Sequence, residues 1–465
     1  MDVINFLNDV WSYILIVILS LCAIYFTIKT RGVQFTMLKE MVVLLFRSGS
    51  RNNDARDGER RDAISSFQAF AVSIAGRVGT GNLAGVATAI AIGGPGAIFW
   101  MWVIALLGAA NAFIESTLAQ LYKVKGGNSY QGGPAYYILH GIGKRWWAVL
   151  FAVLITITFG LAYNSVQSNT IAVAFKAQFG WSPLVVGIVL ALLSLFIICG
   201  SIKRISRFSE VVVPIMAVGY VMLALYILAI NFTEIPAILK LIVVDAFDCS
   251  SAFGGGIGIA MLIGIKRGLF SNEAGEGSAP NVAATASVSH PVKQGLIQTL
   301  AVFTDTLIIC TCTAIIILCS GIFNNGSSGI TLTQDALNSE IGQIGSLFIT
   351  IAILFFAFTS IIANYYYGET NIQFITKKRW ILHIYRAVVG ALVFVGAVSS
   401  LDFVWALADI TMALMTVCNL VAIIVLGRFA IILLNDYKSQ RLKGYDPVYR
   451  ASTIPQIAHK TKCWL

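Results

Sequence analysis

Apolar runs of about twenty residues recur along this chain, and no other feature narrows its fold as much. A hydrocarbon core about 30 Å thick is crossed by roughly 20 apolar residues in helical form. Eleven such windows fall at 10–28, 64–92, 97–121, 147–174, 183–200, 210–230, 253–286, 296–320, 343–366, 383–399 and 403–434. Lipid cannot bond backbone amides and carbonyls, so each window is expected to be a helix. The chain is 57% hydrophobic and 12% charged, about half the charged share of a soluble globular protein. That excludes a disordered chain, a small disulfide scaffold and an ordinary cytosolic enzyme. The expected class is an all-α, multi-pass membrane protein, with the bilayer as its first partner.

Basic residues give the orientation. Asp2 and Asp9 precede the first window, and Lys29 and Arg31 follow it. A secretory signal carries its positive charge on the other side. The first helix is therefore expected to be retained, with its N-terminus outside. The segments then assigned to the cytoplasm (29–63, 122–146, 201–209, 287–295, 367–386 and the chain from 428) hold 27 of the 32 Lys and Arg residues. The outer loops hold Lys176 and Lys240 only, a strong positive-inside bias. An odd number of spans leaves the C-terminus in the cytoplasm. The formal charge of +10 then needs no nucleic acid, because basic inner loops meet anionic headgroups. The mixed-charge run Arg47 to Asp62 reads as a solvated inner loop. The eight cysteines show no metal-ligand spacing and read as packing residues.

Two windows are long and interrupted. Segment 64–92 contains Ala75-Gly76-Arg77-Val78-Gly79-Thr80-Gly81-Asn82, and segment 253–286 contains Phe270-Ser271-Asn272-Glu273-Ala274-Gly275-Glu276-Gly277. Glycine weakens a helix and admits unusual backbone angles. Something polar must then bond the freed amides and carbonyls. With the first helix set aside, each interrupted window opens a group of five: 64–230 and 253–434. Residues 1–63 form the preceding helix and loop, and 435–465 a cytoplasmic tail. Five is odd, so the two groups are inverted with respect to each other. Paired breaks at matching places in inverted halves point to a transporter binding site. Gly81-x-x-x-Gly85 also suits plain helix packing. Gly79-x-Gly81-x-x-Ala84 mimics a dinucleotide fingerprint, but a helix and not a strand precedes it.

At these residues the sequence resembles the alanine or glycine:cation symporter family. The matching stretches are Gly76 to Ala87, Gly93 to Trp102, Gly132 to Tyr137 and Gly268 to Gly275, within a likeness running from about residue 10 to 435. The resemblance implies the leucine/sodium symporter fold with one additional N-terminal helix. It also implies sodium-coupled uptake of small neutral amino acids at the cell membrane, with sodium co-transported and no catalysis. A monomer is expected. Two positions depart from the family pattern. Glu276 stands where Met is usual, and Ala135 where many members have Met. Variants of this type are similar to the branch linked with glutamine.

A zwitterionic substrate fixes what its site must offer. Its carboxylate suits the amides of Gly79, Thr80, Gly81 and Asn82 at a half-helix N-terminus. Gln167 can bond the bound amino acid, or a neighbouring helix. Phe270 can close the pocket, and Asn272 and Glu273 lie in the second break. Glu273 can face the ammonium or cap its half-helix. For sodium, which takes hard oxygen ligands as other hard cations do, the fold resemblance suggests the carbonyls of Ala75 and Val78 with the hydroxyls of Thr359 and Ser360. Those hydroxyls can instead bond back to their own helix. A second ion site would use Asn82, Ser271 and Asp305. Arg77 needs a carboxylate or carbonyls, with Glu115, Glu276 and Asp305 as candidates. The runner-up function is a proton-coupled amino-acid carrier of the same fold.

Overall fold

The computed structural model describes residues 2–50, 64–126, 129–199, 202–248 and 256–464. Every apolar window overlaps a helix. Eight helices among the described residues are long and apolar enough to cross a bilayer alone: Val10–Lys29, Gly96–Leu121, Arg145–Phe179, Arg207–Ile230, Pro291–Cys319, Gln343–Ile375, Arg379–Val398 and Leu401–Leu442. Pro183–Ile198 is shorter, and the two interrupted windows are split. Most of the run Arg47 to Asp62, and the start of the window at 253, lie outside the described residues.

The outer surface fits lipid. Phe196, Ile215, Val218 and Met222 are each at least 60% exposed on apolar helix faces. A soluble protein rarely shows so wide an apolar face, whereas lipid leaves it in a matching solvent.

Helix ends follow local chemistry. Ser65 caps Ser66–Arg77 by accepting from Gln68 N, while Gln68 Oε1 accepts from Ser65 N. This reciprocal cap satisfies two free donors. Pro183 and Pro291 open their helices at a position that needs no amide. Among the described residues four short stretches are π-helical: Gly81–Gly85, Ile138–Ile142, Thr158–Tyr163 and Thr304–Cys310.

Helices from the two halves of the chain interlock. Helix Gly96–Leu121 packs against Gly256–Asn272 and Pro291–Phe303, and helix Asn164–Phe179 packs against Gln343–Ile375 and Arg379–Val398. The first helix lies along Leu401–Leu442. Both interrupted windows are thereby enclosed, and residues 71–87 and 269–286 are buried throughout.

Helices Leu38–Ser50, Ile235–Asp245 and Gly329–Ile341, and a hairpin pairing Val124–Gly126 with Ser129–Gln131, add to the eleven windows. The last helix runs to Leu442, eight residues past the expected 434. The chain beyond it is docked. Tyr449 N donates to Ser289 O, Lys293 pairs with Asp446 at 2.9 Å, and Trp464 Nε1 donates to Gln120 O. His290 is buried beneath this segment, against the rings of Tyr437 and Tyr449. Burial holds its imidazole below the ordinary 6.5, although Asp436 beside it pulls the other way.

Candidate functional site

Helix Ser66–Arg77 stops because Val78 turns to an extended conformation, and the chain re-enters a helical turn at Gly81. The freed groups find side chains. Gly79 N donates to Asn82 Oδ1 at 3.0 Å, and Thr80 N donates to Gln167 Oε1 at 2.9 Å. Thr80 Oγ1 donates to the same Gln167 oxygen at 2.7 Å. Ser360 Oγ reaches the carbonyls of Ala75 at 2.9 Å and Val78 at 3.3 Å. Two glycines are required here by close approach. A Cβ on Gly79 would overlap Ser360 Oγ and lie 2.8 Å from Gln167 Oε1. One on Gly81 would lie 3.0 Å from Ser271 Cα and 3.1 Å from Phe270 Cδ1. The two breaks therefore meet at Gly81.

The second break is closed by groups distant in sequence. Glu115 accepts from Gly275 N at 3.2 Å and from Gly277 N at 3.1 Å. Asn419 Nδ2 donates to Gly275 O and to Glu115, both at 2.8 Å. Glu273, at φ 55°, accepts from Ser278 Oγ. Asn272 uses its side chain on Ala274 N and Thr306 Oγ1. Asn272 and Glu273, expected at the substrate, are thus engaged in holding the break.

Asp305 joins the two breaks. Its carboxylate accepts from Asn82 Nδ2 and Ser271 Oγ, both at 2.7 Å, and from Thr306 Oγ1 at 3.0 Å. Cys310, read as a packing residue, belongs here too, since Asn82 Nδ2 and Ser271 Oγ lie 3.3 and 3.2 Å from its sulfur.

Arg77 turns to neutral acceptors: Asn272 O at 2.7 Å, Ser73 Oγ at 2.7 Å and Gln298 Oε1 at 3.1 Å. The carbonyl half of its expectation holds. Thr359 bonds back to its own helix, one of the two expectations for it. Its hydroxyl donates to Phe356 O in its own helix at 2.9 Å, so Ser360 alone of the pair reaches the Ala75 and Val78 carbonyls. Phe270 packs between Tyr163 and Trp405 with tilted rings, at 4.5 and 4.7 Å between centroids.

Residues 1–451 match the family model described as the Sodium:alanine symporter family. The chain belongs to the sodium:alanine symporter family. It is 49% identical to the probable sodium/glutamine symporter GlnT of Bacillus subtilis, over 99% of this chain and 95% of that one. It is 50% identical to the amino-acid carrier protein AlsT of the same organism, over 98% and 96%. Among solved structures it resembles MhsT in complex with L-phenylalanine, with a TM-score of 0.59, 17% identity, and 87% and 93% coverage. That likeness shows the fold, of the leucine/sodium symporter type. The sodium:alanine symporter assignment makes the chain a secondary amino-acid transporter of the cell membrane, crossing it many times.

Sequence reasoning had no signal for Glu115 or Asn419 as partners of the second break. Each sits in a helix whose apolar pattern hides its one polar face. The signal that existed was the demand itself, since two glycine amides inside a membrane require an acceptor.

Proposed function

We propose that the protein imports small neutral amino acids by coupling them to sodium, with alanine and glycine as first candidates and glutamine next. The observation that carries this reading is the oxygen cluster at the first break. Ser360 Oγ and the carbonyls of Ala75 and Val78 are ligands of the kind a hard cation takes. Asp305, with Asn82 and Ser271, forms a second oxygen-rich centre for another sodium. Gln167 Oε1, bonded to Thr80 N, is an acceptor of the same kind as a substrate carboxylate oxygen. The substrate takes its place on the Gly79–Asn82 amides, with Phe270 against it. The names of the family and of the glutamine relative support sodium and these substrates.

The cycle follows from coupling. Sodium bound at the carbonyls of the first break favours the conformer competent for the amino acid, and the amino acid favours sodium in return. One helix group then rocks about the midplane site. In proteoliposomes, labelled alanine uptake should fall to background when choline replaces sodium at fixed pH. Ser360→Ala should raise the half-saturating sodium concentration by about tenfold, the loss of roughly one ligand bond. Undiminished uptake in choline, driven by a pH gradient, would favour the proton-coupled carrier instead.

The same reading has eleven spans, the first helix and two groups of five at 64–230 and 253–434, with the N-terminus outside. The basic-residue bias supports it. With the eight native cysteines replaced by serine, an impermeant maleimide should label Ser327→Cys on intact cells and leave Lys443→Cys unlabelled. The reverse pattern would invert the topology.

A further inference from the structure

Helix Leu38–Ser50 follows the first helix, and a pocket of about 650 Å³ lies between it and the end of Leu401–Leu442. Lys39, Lys438 and Arg441 line this pocket, with Glu40 as its single carboxylate. Glu40 is already engaged. Tyr437 donates to it at 2.6 Å, and Arg441 Nη2 donates at 2.7 Å. Asp446, just beyond the helix, is taken up by Lys293 at 2.9 Å. Among the described residues, neither Lys39 nor Lys438 has a carboxylate partner.

Arg31 lies close enough to repel Lys438. Its backbone sits at φ 57°, a region costly for residues other than glycine. The turn that holds it there is closed by Gly32 N, which donates to Thr27 O at 2.8 Å. Like charges are thus gathered around a half-buried lysine. An anion placed among them would relieve their mutual repulsion.

Apolar groups stand beside these charges. Val43 and Leu442 line the same pocket, and Leu442 is 89% exposed. Leu38, Val42 and Phe46 recur every four residues as an exposed stripe, with Phe46 at 74%. Met41 and Leu44 of the same helix are buried against the protein. A helix with an outward apolar stripe and basic groups at its edge lies in the headgroup layer of a membrane. A free inorganic anion would need the charges alone and gives no account of the stripe.

We propose that this pocket binds an anionic glycerophospholipid of the inner leaflet. Its phosphate lies between Lys39, Lys438 and Arg441, and its acyl chains run along Val43, Phe46 and Leu442. Basic pockets at the cytoplasmic ends of membrane helices suit such headgroups. The lipid ties Leu38–Ser50 to the last helix. Leu38–Ser50 also packs on Ser66–Arg77, the helix that ends at the first break, so the lipid braces that helix from its far end. The leaflet follows from the proposed topology. The chemistry of the site depends neither on that topology nor on which amino acid is carried.

Thermal stability of the purified, delipidated protein in neutral detergent tests it. Dioleoylphosphatidylglycerol should stabilise the wild type in a saturable way, as a ligand of the folded state does. Dioleoylphosphatidylcholine should not. Combining Lys39→Gln with Lys438→Gln should raise the half-saturating phosphatidylglycerol concentration by about 25-fold, about fivefold for each lysine. Lys39→Arg with Lys438→Arg keeps both charges and should titrate as the wild type does. Lys377→Gln with Lys378→Gln removes the same charge from an exposed loop elsewhere, and should leave the titration unchanged. Leu442→Glu, at an exposed rim position, should weaken binding by repulsion with no loss of packing. Wild-type titration by the lysine-to-glutamine pair or by Leu442→Glu overturns the proposal. So does equal weakening by the Lys377 and Lys378 substitutions, because the attraction is then to the whole basic face. Equal stabilisation by glycerol 3-phosphate also overturns it, because the site is then one for a free phosphate.

Discussion

Gly79→Ala should abolish amino-acid uptake. The added methyl overlaps Ser360 Oγ and crowds Gln167 Oε1 at 2.8 Å. Ser360 is the hydroxyl on the Ala75 and Val78 carbonyls, and Gln167 is the acceptor on Thr80 N. One atom therefore disturbs the proposed sodium ligands and the proposed carboxylate cradle together. Initial uptake should fall by at least about 100-fold, equivalent to about 2.8 kcal/mol. Overpacking of this kind costs about 1–3 kcal/mol of stability, so folded protein should still be recovered, which size-exclusion chromatography checks. Gly219→Ala is the matched control. It lies in helix Ile202–Ile230 with open space where its Cβ would go, and it should transport as the wild type does. Full uptake by Gly79→Ala would remove the first break from the transport site.

The second large effect is on folding. Arg77→Gln should lose about 3–5 kcal/mol, the range seen when one partner of a buried charge network is removed. Arg77 is 2% exposed and bonds three acceptors from three segments: Ser73, Asn272 and Gln298. Its charge also acts on four buried carboxylates: Glu115, Glu273, Glu276 and Asp305. A glutamine keeps polar atoms but neither the charge nor the reach. Arg77→Lys keeps the charge without the planar fork, so it should recover only part of the loss. The measurement is the fraction of detergent-extracted protein that stays monodisperse after stepwise heating. A wild-type profile for Arg77→Gln would mean that the guanidinium does not clamp the two breaks.

Much of this organisation was legible because a membrane leaves few solutions. An apolar window of the right length has to be a helix, and all eleven windows overlap one. Glycines and polar groups in mid-span have to be functional or partnered, and the stretches from Ala75 to Asn82 and from Phe270 to Gly277 proved to face each other. What stayed hidden was the identity of partners brought together by packing. Ser360 reaches Ala75 across 285 residues of chain, and Glu115 reaches Gly275 across 160. No periodicity connects such pairs. Thr359 and Ser360 are adjacent and chemically alike, yet helical geometry turns only one toward the break. Cys310 looked apolar by context because its two polar contacts, Asn82 and Ser271, come from other helices. The helices outside the windows, such as Gly329–Ile341, fell outside an apolar-window reading because each is too short to cross a bilayer.

The π-helical stretches have a consequence for how this chain tolerates change in length. A π turn amounts to one residue accommodated within an α-helix, and each residue turns the helix by about 100°. Gly81–Gly85 contains Asn82, Thr158–Tyr163 immediately precedes the stretch holding Gln167, and Thr304–Cys310 contains Asp305. Deleting a single residue from one of these turns would let it relax to a regular α-helix and keep every hydrophobic residue in the span. Because the wide turn already absorbs the rotation of its additional residue, the rest of the helix would keep nearly its original facing, and only the residues of the turn itself would be re-aimed. A one-residue gap at these places in an alignment therefore marks a lost wide turn, with residues such as Asn82 or Asp305 re-aimed while the flanking helix faces stay where they were.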